Sequence, residues 1–129
     1  MCKIILMGAL LVGSLLAAED ECPTIVRAAD AETVYQAMLT RLKLDGMDIE
    51  SASKDAGIKT SLVVKGSYKQ TGSYVKITFI PDGGKTTARV GVYEMRRYKA
   101  FKVEPWTNPK ISVERSQAQA YRLAQELGW

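Results

Sequence analysis

The chain has 129 residues, of which 47% are hydrophobic and 25% charged, and its formal net charge is +4. This length suits a single domain, and so small a net charge does not by itself imply nucleic-acid binding. Histidine is absent, which excludes Ser-His-Asp, Cys-His and histidine-metal sites and removes the commonest general base. Catalysis by a carboxylate pair or a Ser/Lys pair stays possible, but no spacing marks one. The sequence therefore predicts no enzyme, no cofactor and no metal site.

The N-terminal segment, residues 1–18, predicts a secretory signal peptide. Lys3 provides a short basic start, an apolar run follows from Ile4 to Leu16, and small residues end at Ala18 before an acidic stretch. This layout is typical of a signal peptide that is cut after Ala18, and the run is short for a permanent membrane span. We therefore expect an exported, periplasmic protein. The alternative is an uncleaved segment that tethers the chain to the inner membrane, since Leu16 fits poorly three positions before the cut.

The mature part, residues 19–129, is predicted to form a single α+β domain. Of the 18 Lys and Arg residues only Lys3 would leave with the signal, so 17 would face 14 Asp and Glu. Cys22 would be the only remaining cysteine and cannot form an intrachain disulfide. It is a candidate unbridged thiol that could join a partner through a disulfide or a thioether. The alternative is a spectator cysteine near a mobile strand end.

The first predicted element of the mature chain is a helix over residues 31–43. Asp30 precedes it and is a favoured N-cap, because its carboxylate can accept hydrogen bonds from the first turn. Apolar residues repeat at four-residue spacing within it, at Val34, Met38 and Leu42. Gly46 supplies the expected stop.

Four strands are predicted after this helix. They lie around residues 47–52, from Ile58 to Lys65, around Val75 to Phe79, and from Ala88 to about Arg96. The second strand alternates, with Ile58, Thr60, Leu62 and Val64 on one face. Turns are predicted at residues 53–57, 66–72 and 81–84. The Gly84-Lys85-Thr86 stretch resembles the end of a phosphate-binding loop, but Phe79 stands where that pattern needs glycine, which favours a hairpin turn.

The C-terminal part is predicted to be a loop followed by a helix. Residues 98–108 show no clear period, and prolines at 105 and 109 favour an ordered loop. An apolar stripe then runs from Val113 to Leu127, and Gly128 ends it. The predicted fold is therefore an α+β two-layer sandwich. An antiparallel meander of about four strands carries an N-terminal and a C-terminal helix on one face.

A basic and aromatic segment near the end of the last predicted strand is the candidate contact surface. Its residues are Tyr93, Arg96, Arg97, Tyr98, Lys99, Phe101 and Trp106. Such a segment can bind nucleic acid, but export excludes that partner. Envelope proteins or an anionic membrane surface are the expected contacts. The alternatives are a solvated strand end for the charges and a plug at one end of the core for the aromatic rings.

The region from Val34 to Thr60 resembles a known family. Its pattern consists of Val34-Tyr35-Gln36-Ala37-Met38, then Gly46-Met47-Asp48-Ile49, then Gly57-Ile58-Lys59-Thr60. This is similar to the repeated domain of the lipoprotein subunit of the bacterial outer-membrane β-barrel assembly machinery and to related small envelope domains. The resemblance implies a helix-grip-like α+β sandwich that binds other envelope proteins and has no enzymatic role.

Two functional hypotheses follow from the sequence. The first is a non-enzymatic exported envelope protein that acts as a protein-binding or assembly module, through an exposed sheet edge or the Tyr93-to-Trp106 segment. The second is a small apolar-ligand or lipid carrier, because a helix across a curved sheet can enclose a cavity. Small residues predicted on the core face favour the carrier: Ala37, Ala88, Ala120 and Ala124.

Overall fold

The computed structural model describes residues 22–99 and 101–129, and the predicted signal peptide, residues 1–18, lies outside them. Within the described residues the chain forms two helices, α1 (Ala31–Leu44) and α2 (Val113–Leu127). The strands are β1 (Thr24–Arg27), β2 (Ile49–Ser53), β3 (Gly57–Thr60), β4 (Val63–Lys65), β5 (Lys69–Asp82), β6 (Lys85–Tyr98) and β7 (Lys110–Ile111). They form one antiparallel sheet in the order β1-β6-β5-β3-β2, in which β4 also pairs with β5 and β7 with β6.

The predicted α+β class is confirmed, but the four-strand meander is too simple. The described residues form an open antiparallel sheet of seven strands. The short strand β1 precedes the first helix, and β7 adds two residues beside β6. The long hairpin of β5 and β6 forms the middle of the sheet, with β1 and β7 paired to β6 and with β3 and β4 paired to β5.

Both helices begin where the sequence predicts; α2 also ends there, whereas α1 runs one residue further than predicted, to Leu44. The Asp30 Oδ1 accepts a hydrogen bond from the Thr33 N–H at 2.9 Å, which caps α1. Gly46 follows the helix with a φ of +85°, a conformation that glycine adopts without steric cost. The Ser112 hydroxyl caps α2 by accepting from the Arg115 N–H, and Gly128 ends that helix in the left-handed region.

The β5–β6 hairpin is regular over its whole length, since each strand has 14 residues and pairing runs unbroken from Lys69–Tyr98 to Asp82–Lys85. Its loop is Gly83-Gly84, and both residues have positive φ, which matches the twist of the flanking strands. The hairpin-turn interpretation of Gly84-Lys85-Thr86 is therefore confirmed.

The core lies between the turn half of this hairpin and the two helices. Cross-strand pairs such as Val75–Val92 and Ile77–Val90 point to one face of the sheet, and these residues are buried. Side chains of α1 and α2 join the same cluster. The buried cluster is Ile25, Val34, Tyr35, Met38, Leu42, Ile58, Val75, Ile77, Phe79, Ala88, Val90, Val92, Ala120, Leu123 and Ala124.

The second predicted strand is interrupted by a one-residue bulge, and its alternation is wrong beyond Thr60. Val63 comes four positions after Lys59, whereas their partners Ser73 and Lys76 are only three positions apart. One extra residue reverses the faces of everything that follows. Leu62 and Val64 are consequently exposed rather than buried.

Candidate functional site

The end of the sheet remote from the Gly83-Gly84 turn carries a short hairpin tip. After β6 the chain folds back, and Lys99 forms a β-bridge with Val103. The Glu104 N–H donates to the Tyr98 carbonyl at 3.1 Å, and the Thr107 N–H donates to the Arg96 carbonyl at 2.9 Å. These hydrogen bonds hold the returning segment against β6, so Phe101 lies at an anchored turn.

Exposed aromatic and cationic side chains gather at this tip. Phe101 has a relative exposure of 107%, so no neighbour covers its ring. Tyr98 and Tyr68 are also exposed, and their ring centroids are 5.7 Å apart. We call the exposed residues here the distal surface: Tyr68, Arg96, Tyr98, Lys99, Phe101, Lys102 and Val103.

Two predicted contact residues, Arg97 and Trp106, support the tip by packing. The Arg97 guanidinium carbon lies 4.1 Å from the centroid of the Trp106 ring, and its Nε donates to the Gln70 Oε1 at 2.7 Å. A Cβ at Gly72 would lie 3.1 Å from the Trp106 ring, so that ring lies directly over the strand. Arg97 and Trp106 therefore fasten the loop to the face of the sheet opposite the helices.

Tyr93, another predicted contact residue, lies away from the distal surface. Its ring stacks on Tyr74 with centroids 5.2 Å apart and an interplanar angle of 11°. The Lys59 ammonium lies 4.8 Å from the Tyr74 ring centroid. The structure therefore brings Arg96, Tyr98, Lys99 and Phe101 together at the tip and separates Tyr93 from them.

The Cys22 side chain is buried, whereas the sequence predicts a position at a mobile strand end. Its side chain is 1% exposed. A Cβ at Gly91 would lie 3.7 Å from the Cys22 Sγ, which places the thiol over β6. The next residue, Pro23, accepts a hydrogen bond from the Val90 N–H at 3.0 Å, which fixes this part of the backbone. A partner could reach the thiol only after this segment opened.

A cavity of about 430 Å³ lies on the helix side of the sheet, beyond the buried cluster. It is bounded by the loop after α1, by β3 and β4, by β5 and by one side of α2. Its lining includes the apolar residues Met47, Leu62, Val63, Val75 and Val92. Sequence reasoning missed this site, because five separate segments form it and no local pattern marks it.

Two carboxyl groups, those of Asp30 and Asp45, have a pKa below the ordinary value, and each shift has a structural cause. The hydrogen bonds from Thr33 lower the pKa of the Asp30 carboxyl at the start of α1. Burial raises the pKa of Asp45, but the adjoining Glu126 side chain and the hydrogen bonds and charge of Arg41 outweigh it, so the pKa lies below its ordinary value of 3.8. Both carboxyls lie outside the distal surface and the cavity.

Among residues 22–99 and 101–129, no three Cys, Asp or Glu side chains are grouped closely enough to hold a metal ion. In the same ranges, no helix has the length and hydropathy needed to cross a membrane.

Comparisons of the chain with protein-family models, with curated proteins and with solved structures gave no match. The resemblance of the Val34-to-Thr60 region therefore stays a prediction. Its positions have structural roles here, since Val34, Met38 and Ile58 are buried and Gly57 has a positive φ.

Proposed function

We propose that this chain is a non-enzymatic, exported envelope protein that binds another envelope protein through the distal surface. The observation that carries the proposal is the full exposure of Phe101 on an anchored tip. Exposed aromatic rings on a rigid support are favoured anchors in protein interfaces. Because the backbone of the tip is already hydrogen-bonded, binding would cost little ordering entropy.

The charge around the rings indicates the chemistry of the partner. Arg96, Lys99 and Lys102 are exposed beside Tyr98 and Phe101. Glu104 is the acidic side chain of the same segment. The net positive charge would favour an acidic rim around an apolar pocket on the partner.

A sheet edge next to this surface offers a second contact. Strand β4 pairs only with β5 among the described strands, so its outer edge is open to another strand. Val63 and Val64 on this strand are exposed. A partner segment could add to this edge by main-chain hydrogen bonds while its neighbouring part contacts the tip.

Site-specific photo-cross-linking in the native host tests the proposal. A photoreactive phenylalanine replaces Phe101 in the full chain, and the matched control carries it at Tyr121, an exposed aromatic residue on α2. We expect a discrete protein adduct in the envelope fraction from position 101 and none of that size from position 121. No adduct at 101, or identical adducts from both positions, would contradict the proposal.

An anionic membrane surface is the alternative contact. It predicts that vesicles rich in phosphatidylglycerol sediment the protein at low salt and release it at high salt. The informative variant reverses the charges of Arg96, Lys99 and Lys102. Arg97 is left unchanged because it packs on Trp106 and its loss would loosen the tip. Sedimentation that is equal for the wild type and this variant would exclude a charge-driven membrane contact.

The second candidate function, a carrier of a small apolar ligand, is favoured by the cavity. Its volume of about 430 Å³ lies within the usual range of ligand pockets, roughly 300–1,000 Å³. It lies beside the buried cluster rather than inside it, so a ligand could enter without unfolding the core.

A further inference from the structure

We propose that the cavity beside α2 binds a small amphipathic anion, with its apolar part against the sheet and its anionic group at the cationic side chains of the rim. This inference rests on the carrier function and is independent of the distal surface. The volume of the cavity is compatible with many small apolar ligands, whereas the charge of its lining favours an anion.

The apolar part of the site comes from the sheet. Val75 and Val92 form the floor as a directly opposed pair of β5 and β6, and both are more than 90% buried. Val63 forms one wall and is exposed to solvent in this structure. The Leu62 backbone borders the cavity, but its side chain packs over Gly72 on the other face of the sheet. A bound hydrocarbon or aromatic ring would cover the Val63 side chain, and removing this apolar surface from water would favour binding.

The bulge after Thr60 determines which side chains of this wall face the cavity. It turns Val63 and Lys65 to the helix side of the sheet, opposite Ser73 and Thr71. Without the extra residue, Leu62 and Val64 would face the cavity and Lys65 would face away. The bulge that interrupts the predicted alternation therefore also places Lys65 at the rim of the cavity.

The charge of the lining is the main reason for choosing an anion. Lys65, Arg115 and Arg122 line the cavity together with the carboxylate of Asp48. The Arg122 Nε is paired with the Glu126 carboxylate at 3.5 Å, so Lys65 and Arg115 are the cations that would meet a ligand. Arg115 is held in place by Glu94, with Nη1 to Oε2 at 2.7 Å, and by the Ser73 hydroxyl at 3.5 Å. A guanidinium that is oriented in this way can still donate to a second carboxylate or sulfonate, because it has five N–H groups.

A buried donor in the lining is a second, independent observation. The side-chain amide nitrogen of Gln119 is buried and has no hydrogen-bond partner among the described residues. Gln119 lies on α2, one helical turn from Arg115 and on the same side of the helix. An unpaired buried N–H destabilises the unliganded protein, and an anionic oxygen near Arg115 would provide its acceptor.

A matched pair of fluorescent probes tests this inference on the full chain. The anionic probe is 1-anilinonaphthalene-8-sulfonate, and the neutral probe is the same molecule without the sulfonate. We expect the anionic probe to bind one per chain, and more tightly than the neutral one. In the double variant Lys65→Gln and Arg115→Gln the affinity of the anionic probe should fall about tenfold, which corresponds to about 1.4 kcal/mol, because both cations that face the anionic group are lost.

Three control variants locate the binding. Ala118→Trp fills the cavity from an exposed position of α2 and should abolish binding of both probes. Phe101→Ser alters the distal surface, and Lys85→Gln removes an exposed charge at the hairpin turn. Neither of these two should change binding.

The outcomes separate failure of the inference from failure of the carrier function. If neither probe binds, both fail. If both probes bind equally and the double variant behaves as the wild type, the carrier function stands and the preference for an anion is overturned. Binding of the anionic probe that survives Ala118→Trp would place it elsewhere and would overturn the inference as well.

Discussion

The residue type at position 57 is restricted to glycine both by its backbone conformation and by a close neighbour. Its φ is +92°, and a Cβ there would lie 2.2 Å from the Ile77 carbonyl oxygen. Gly46 has a similar φ of +85°, yet a Cβ there would have nothing within 4 Å. A side chain at Gly46 would therefore carry only the cost of the backbone conformation, whereas one at Gly57 would carry that cost and the cost of a steric clash.

We predict that Gly46→Ala lowers the free energy of unfolding by about 1–2 kcal/mol, the ordinary cost of a left-handed alanine. Gly57→Ala should lower it by roughly 3 kcal/mol or more, because the Ile77 carbonyl must also move. Urea unfolding of both variants measures the difference. Equal losses would mean that β3 and β5 are not packed as closely as the structure shows.

Individual residues also explain why the candidate surface could be predicted only in part. The basic and aromatic composition of the Arg96-to-Trp106 segment is visible in the sequence, and four of its members do meet at an exposed tip. The packing of Arg97 on Trp106 depends on Gly72, more than thirty residues earlier than Trp106. No local pattern separates a contact residue from one that merely supports it.

Along the outer edges of the β5–β6 hairpin, two side-chain hydroxyls accept backbone N–H groups that no neighbouring strand pairs. The Thr60 Oγ1 accepts the Val75 N–H at 2.8 Å where β3 gives way to the bulge. On the other side, the Ser116 Oγ accepts the Val92 N–H at 2.8 Å, between the segments where β1 and β7 pair with β6. Both bonds are buried, so each replaces a missing ladder bond at the same level of the sheet.

We predict that Thr60→Val destabilises the protein by about 1–3 kcal/mol, because it leaves the buried Val75 N–H unpaired while keeping the side-chain volume. Thr60→Ser retains the acceptor and loses only one methyl group, at about 1 kcal/mol. Amide hydrogen exchange distinguishes the two: protection of the Val75 amide should fall sharply in the valine variant and little in the serine variant. Equal protection in both would show that the hydroxyl is not the acceptor.

The elements also show which parts of the fold are local in origin. The start of α1 at Asp30, the Gly83-Gly84 turn and the alternation of Val75, Ile77 and Phe79 are all set by nearby residues, and the sequence predicts them. The bulge after Thr60 is set by pairing with β5, which follows later in the chain. Strand β1 has only four residues and pairs with β6, so its own sequence carries too weak a signal.

At the scale of the whole molecule, one charged cluster joins the end of α1 to the end of α2. Asp45 follows α1, and its carboxylate lies 2.9 Å from the Arg41 Nη2. The Arg41 Nε lies 3.8 Å from the Glu126 carboxylate, which also approaches the Arg122 Nε at 3.5 Å. The Asp45 side chain is only 4% exposed, so solvent screens this cluster less than an open surface pair.

This cluster predicts a specific pH dependence of stability. The pKa of Asp45 is lower in the folded chain than its ordinary value of 3.8. Its contribution to stability is therefore fully present above pH 3.8 and is lost as the pH falls through the folded pKa. Between pH 6 and pH 2.5, the wild type should lose more stability than Asp45→Asn, which has no carboxyl to protonate there.

Chemical unfolding at both pH values provides the measurement, and Asp55→Asn is the matched control because Asp55 is an exposed carboxyl in the β2–β3 turn. The control should retain the wild-type pH dependence, whereas Asp45→Asn should flatten it and start from a lower stability at pH 6. A difference between pH 6 and pH 2.5 that is the same for all three proteins would contradict the prediction. The two helices would then be held on the sheet by apolar packing alone, with no contribution from the charges between them.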